Sequence, residues 1–124
     1  MAIANTARIY GDIAVFADKV KLEGLYMYGN SDLTGDISSL ANKPELLEVS
    51  LHDTSLYGSI SNFINIPKVR SLHFATLPDL TGDVSVFANC SNLQQIQIHY
   101  TQVSGSVNSL ANLTKLYWLT VNNT

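Results

Sequence analysis

Cysteine is nearly absent. Cys90 stands alone in 124 residues, which excludes an internal disulfide and any thiolate cluster drawn from one chain. Basic residues are also few: seven Lys and Arg against ten Asp and Glu leave a net charge of -3, with no run of either sign. Nucleic-acid binding is therefore not expected. No apolar stretch approaches the roughly 20 residues of a membrane-spanning helix, and Met1 to Thr6 lacks the basic start and apolar block of a secretory leader. The expectation is a soluble chain without membrane insertion. With 46% hydrophobic and only 14% charged residues, its composition supports a packed interior.

What the chain does have is repetition. Gly11, Gly35, Gly58, Gly82 and Gly105 recur 24, 23, 24 and 23 residues apart, and each is followed by the same apolar pattern. A unit of this length cannot bury its apolar face alone; it needs copies above and below. The whole chain, 1–124, reads as a single repeat domain. Its rungs run approximately over 1–10 (partial), 11–34, 35–57, 58–81, 82–104 and 105–124 (partial).

The apolar sets align as Leu22, Leu25, Met27; Leu46, Val49, Leu51; Val69, Leu72, Phe74; Leu93, Ile96, Ile98; and Leu116, Leu119, Val121. Period-two alternation at the end of each set predicts strands near 24–28, 48–52, 71–75, 95–99 and 118–122. Strands repeating in one direction must be parallel. A sixth strand is expected at Met1 to Ala4, with Ile3 placed where Met27 and Leu51 stand. Phe16, Leu40, Phe63, Phe87 and Leu110 begin a spacing of three that suits short 3₁₀ or helical turns. Ser38, Ser61, Ser85 and Asn108 sit at cap-like distance before them. Each repeat glycine and its following Ile13, Ile37, Ile60, Val84 or Val107 predicts a short extended segment at the back. Asn42, Asn65, Asn89 and Asn112, with Asp18, form a column expected to bond loop backbone. Cys90 takes the place of Ile66 and Leu113, the setting of a buried thiol.

The segment Leu46-x-x-Val49-x-Leu51-x-x-Thr54 and its copies resemble the leucine-rich repeat family over essentially the whole chain. Leu33-Thr34-Gly35-Asp36-Ile37 and Leu80-Thr81-Gly82-Asp83-Val84 resemble its plant-type LxGxI subclass, as found in bacterial and phage surface proteins. The resemblance implies an α/β solenoid: a right-handed coil with a concave parallel β-sheet, short 3₁₀ or helical turns and a short second strand on the outer side. It also implies a secreted, cell-surface or virion location. Two departures stand out. The usual proline after the Ile is replaced by Ala14, Ser38, Ser61, Ser85 and Asn108, and the turn asparagine survives only at Asn30. Thr54, Thr101 and Thr124 take its place elsewhere, and Leu77 does so in the third rung, next to Pro78 and an extra residue.

Residues between and after the inward leucines point to the other side of the sheet. That face gathers Tyr26 and Tyr28; Ser50, His52 and Asp53; Ser71, His73 and Thr76; Gln95, Gln97, His99 and Tyr100; and Trp118, Thr120 and Asn122. All three histidines and the only tryptophan are in this set, and charged groups are nearly excluded from the face, apart from Glu48 and Asp53. Rigid rings with polar edges suit a protein, a peptide or a glycan. Tyr26, Tyr28, His52, His73, Gln95, Gln97, His99, Tyr100 and Trp118 are the candidate partner-binding residues. A solvated sheet face needs polar residues too; the aromatic content favours binding.

Other chemistry fits less well. A zinc site from the three histidines would need rings about 10 Å apart at the backbone, two strand spacings, to lean together across Ala75. Ser50 and His52 lie roughly 6.6 Å apart along a strand, too far for proton transfer, so no catalytic residue and no cofactor is expected. The acids Asp12, Asp36 and Asp83 are interrupted by Ser59 and Ser106, which breaks a calcium ladder. The glycosylation sequons at Asn89, Asn112 and Asn122 follow largely from the repeat. Neither end carries a polar capping rung, so the alternative to a binding module is a structural element that stacks end to end.

Overall fold

A computed structural model describes residues 2–3 and 8–122. Thr124 lies outside them, as does part of the sequon at 122–124. Among the described residues, eleven strands alternate between two parallel sheets. The main sheet runs β1 (Ala2–Ile3), β3 (Gly24–Tyr26), β5 (Glu48–Ser50), β7 (Ser71–His73), β9 (Gln95–Gln97) and β11 (Trp118–Thr120) in spatial order. The second sheet contains β2 (Gly11–Asp12), β4 (Leu33–Asp36), β6 (Ser55–Ser59), β8 (Leu77–Asp83) and β10 (Thr101–Ser104). Between them run 3₁₀ turns at Ile13–Phe16, Ile37–Leu40, Ile60–Asn62, Val84–Phe87 and Val107–Leu110, and the described residues form no α-helix.

The inward residue of each main strand lies beside its counterpart in the next rung: Leu25 with Val49, Val49 with Leu72, Leu72 with Ile96. All four are buried, as are the flanking columns Leu22, Leu46, Val69, Leu93 and Met27, Leu51, Phe74, Ile98. Phe63 from the turn side meets Phe74 edge to face at 5.6 Å. Burying each such side chain contributes about 1.5–3 kcal/mol, and no rung can do so without its neighbours.

The main strands fall where the alternation places them, though only three residues of each are regular. The ladder nevertheless continues: Met27 N–H donates to Ser50 O (3.0 Å) and Gly29 N–H to His52 O (2.9 Å). The sixth strand is present, but Ile3 pairs with Leu25 and not with Met27. That correction moves the first rung by two residues.

The back of each rung also departs from expectation. The second strand precedes the Ile or Val, which instead opens the 3₁₀ turn, and the turn runs into Phe16, Leu40, Phe87 and Leu110 rather than away from them. The caps are Asp12, Asp36, Ser59, Asp83 and Ser106, whose side chains accept from the backbone N–H two residues on. Ser38, Ser61, Ser85 and Asn108 supply those N–H groups and are not the caps. An Ncap oxygen that accepts a first-turn N–H satisfies a donor the turn itself leaves open. Asp12, Asp36, Ser59 and Asp83 then lie against Gly35, Gly58, Gly82 and Gly105 of the next rung. At Gly58 (φ +102°) a Cβ would sit 2.6 Å from Asp36 Oδ1. The asparagine column is not a ladder to loop backbone: Asn42 and Asn65 adopt left-handed backbone, φ 58°, and Asn65 Nδ2 donates to Asn42 Oδ1 at 2.6 Å.

Candidate functional site

The register of the main sheet sets its open face. One row reads Gly24, Glu48, Ser71, Gln95, Trp118, and the next reads Tyr26, Ser50, His73, Gln97, Thr120. Two residues further on, past the regular strands, stand Tyr28, His52, Ala75, His99 and Asn122. The residues that follow, Gly29, Asp53, Thr76 and Tyr100, all adopt positive φ. Their N–H groups bond to His52, Ala75, His99 and Asn122 of the next rung. This bend turns the chain out of the sheet at the same level in each rung.

Five of the candidate residues come together as a row of rings. Tyr28 stacks on His52 at 4.8 Å and 7°, His52 on His73 at 4.0 Å and 26°, His73 meets His99 at 6.5 Å, and His99 meets Tyr100 edge to face at 5.3 Å. Ala75 makes this possible. A large side chain there would separate His52 from His99, whereas the small, buried alanine leaves room for His73 to reach both from the adjacent row. Tyr28 and Tyr100 at the ends are 42% and 53% exposed, so the two end rings are open to solvent.

The other four candidates lie on the same face outside the row. Tyr26 Oη donates to Glu48. Gln95 Nε2 donates to Tyr117 Oη at 2.7 Å, and Trp118 Nε1 to Thr120 Oγ1 at 3.0 Å. Gln97 lies beside His73 in the ladder. Sequence reasoning missed Tyr117, which precedes the last strand and whose hydroxyl reaches Gln95 of the neighbouring strand; only its place beside Trp118 could have signalled it.

The electrostatics of the row are specific. His52 Nδ1 bonds Asp53 Oδ2 at 2.8 Å, and this bond, ahead of the opposing effect of burial, holds the Asp53 carboxyl below its ordinary value. His73 is pushed down to about 4, chiefly by burial and then by the neighbouring His52 and His99. Burial, followed by the Glu48 bond, raises Tyr26 to about 12. His99 Nδ1 is buried and has no hydrogen-bond partner among the described residues. His52 is turned toward Asp53, and no bond joins it to Ser50 among the described residues. Rings stacked face to face do not point their nitrogens at one centre, and the described residues hold no group of three metal-ligating side chains.

No family sequence model matches the chain, and no curated protein matches it in sequence. Solved structures do. The plant peptide hormone receptor RGFR1, in complex with RGF2, is 30% identical over 89% of this chain, with a TM-score of 0.79. The LRR ectodomain of the receptor kinase SOBIR1 from Arabidopsis thaliana aligns over 98% of the chain at 18% identity, TM-score 0.86. An internalin, inlF, from Listeria monocytogenes aligns over 94% at 20% identity, TM-score 0.63. The chain is a leucine-rich repeat solenoid. It spans 18% of the hormone receptor, 67% of the SOBIR1 ectodomain and 39% of the internalin.

In leucine-rich repeat terms, the turn position of three rungs carries a buried polar side chain that bonds back to the strand end. Asn30 Nδ2 donates to Met27 O and Tyr28 O while its Oδ1 accepts from Ile9 N. Thr54 Oγ1 donates to Leu51 O (2.8 Å) and Thr101 Oγ1 to Ile98 O (2.7 Å). The third rung has Leu77 there, fully buried. The extra length is absorbed in β8, where the pairing with β10 jumps from Leu77 to Thr81 and Gln102 Nε2 donates to Pro78 O. Cys90 is buried, and burial raises its thiol.

Proposed function

We propose that this leucine-rich repeat is a non-catalytic binding module that holds a protein or peptide on the open face of its main sheet. Tyr26, Tyr28, His52, His73, Gln95, Gln97, His99, Tyr100 and Trp118 are its contact residues. The observation that carries the reading is the stacked row Tyr28, His52, His73, His99, Tyr100, with exposed tyrosines at both ends. Rings already packed against one another lose little rotamer freedom on docking. An aromatic anchor of this kind contributes about 2 kcal/mol or more to an interface. The likeness to a hormone receptor solved with RGF2 supports the class of partner. A glycan would use the same ring faces and is the alternative ligand. We assign the chain to the plant-type subclass, as one repeat domain over 1–124, and place it outside the cell or on a surface, in line with the SOBIR1 ectodomain.

A pull-down with a glycan array alongside tests this, using the triple variant Tyr28→Ala, His73→Ala, Trp118→Ala as control. The expected result is a partner held by the native chain and lost by the variant, with an unchanged circular dichroism spectrum. If every captured partner binds the folded variant as well, the site is elsewhere.

A further inference from the structure

The ring row has a charge pattern of its own. Asp53 sits at its edge with a half-exposed carboxylate, and among the described residues no lysine or arginine forms an ion pair with it. Five of the seven basic residues are occupied in the turns: Arg8 with Asp32, Lys19 with Asp18, Lys68 with Glu45, Lys115 with Asn92 Oδ1, and Lys43 buried on the carbonyls of Phe16 and Ala17; Lys21 lies on the turn side beside Phe16 and Asp18. Arg70 lies along the face beside Tyr26 and Glu48. A carboxylate can only accept, so the 2.8 Å contact makes His52 Nδ1 the donor. The row therefore offers an exposed ring at each end and one carboxylate, and no lysine or arginine among the described residues is paired with that carboxylate.

We propose that the row receives an arginine of the partner, its guanidinium laid on the exposed Tyr28 ring at the end of the stack and hydrogen-bonded to Asp53. A guanidinium is planar, stacks on aromatic faces and carries five donors in a fixed fork. A lysine ammonium matches the charge but not the stacking surface. This rests on the binding reading above and names the partner chemistry at that site.

The test is a random-peptide phage library panned on the native chain and, in parallel, on the Tyr28→Ala, His73→Ala, Trp118→Ala variant. Peptides that bind only the native chain are expected to carry an arginine. Replacing it with citrulline, neutral but of the same shape, should weaken binding about tenfold, or about 1.4 kcal/mol. Asp53→Asn, which tolerates the left-handed backbone at that position, should weaken the arginine peptide by the same factor and leave the citrulline peptide unchanged. Native-specific peptides without arginine, or undiminished binding after the citrulline or Asp53→Asn change, overturn the inference while the face reading stands. If no peptide distinguishes the native chain from the triple variant, both are overturned.

Discussion

Gly58→Ala probes the contact that sets the spacing of the rungs. Gly58 has φ +102°, and a Cβ there would meet Asp36 Oδ1 at 2.6 Å and its Cγ at 2.8 Å. The carboxylate is not free to move, because Oδ1 accepts from Ser38 N–H at 2.9 Å as the cap of the 3₁₀ turn. Two costs add. Holding alanine at this φ costs about 1–3 kcal/mol, and displacing the cap costs about 0.5–2 kcal/mol, so the variant should lose roughly 1.5–5 kcal/mol in all. The two parts separate in a double-mutant cycle by urea unfolding followed by far-ultraviolet circular dichroism. Asp36→Ala alone loses the cap, about 1 kcal/mol, but it also clears the space. Gly58→Ala on that background should then cost about 1 kcal/mol less than it does in the native chain. If the two changes are additive to within about 0.3 kcal/mol, the cap does not rest on the glycine of the next rung and the packing argument fails.

Three further outcomes follow from the ring row and the core. His73 has a folded pKa near 4 against about 6.5 when unfolded, so between these values the unfolded chain binds the extra proton. Stability should therefore fall as pH drops from about 6.5 to about 4 and level off below, by on the order of 2–3 kcal/mol. His73→Gln should flatten that stretch of the pH profile, and a proton NMR titration should find the His73 ring neutral at pH 5. His99→Phe removes the orphaned Nδ1 and should raise the urea midpoint by the equivalent of about 1 kcal/mol; a lower midpoint would mean that the nitrogen has a partner. Phe74→Ala, at a fully buried site against Phe63, should cost about 3–5 kcal/mol by the same unfolding assay.

The main sheet was legible because its signal is periodic twice over. Alternation within a strand and recurrence every 23 or 24 residues both point Leu25, Val49, Leu72 and Ile96 inward. The back of the rung was less legible. Asp and Ser at the cap look like ordinary polar loop residues, and only the backbone shows that Asp36 and Asp83, not Ser38 and Ser85, accept the turn N–H. The short first strand slipped because two residues carry too little pattern to set a register. The face residues were found by alternation, yet their union into one stack was not, since His73 belongs to a different row from His52 and His99. Ala75 was the clue: a small residue in a row of rings leaves room that a neighbour can fill.

The most direct measurement is a backbone amide chemical-shift map of the chain titrated with a peptide that binds it. Perturbations should cluster at 26–28, 50–53, 73–76 and 97–100, where the rings stand. Shifts confined to the turn side, at 60–67 and 84–90, would contradict the account.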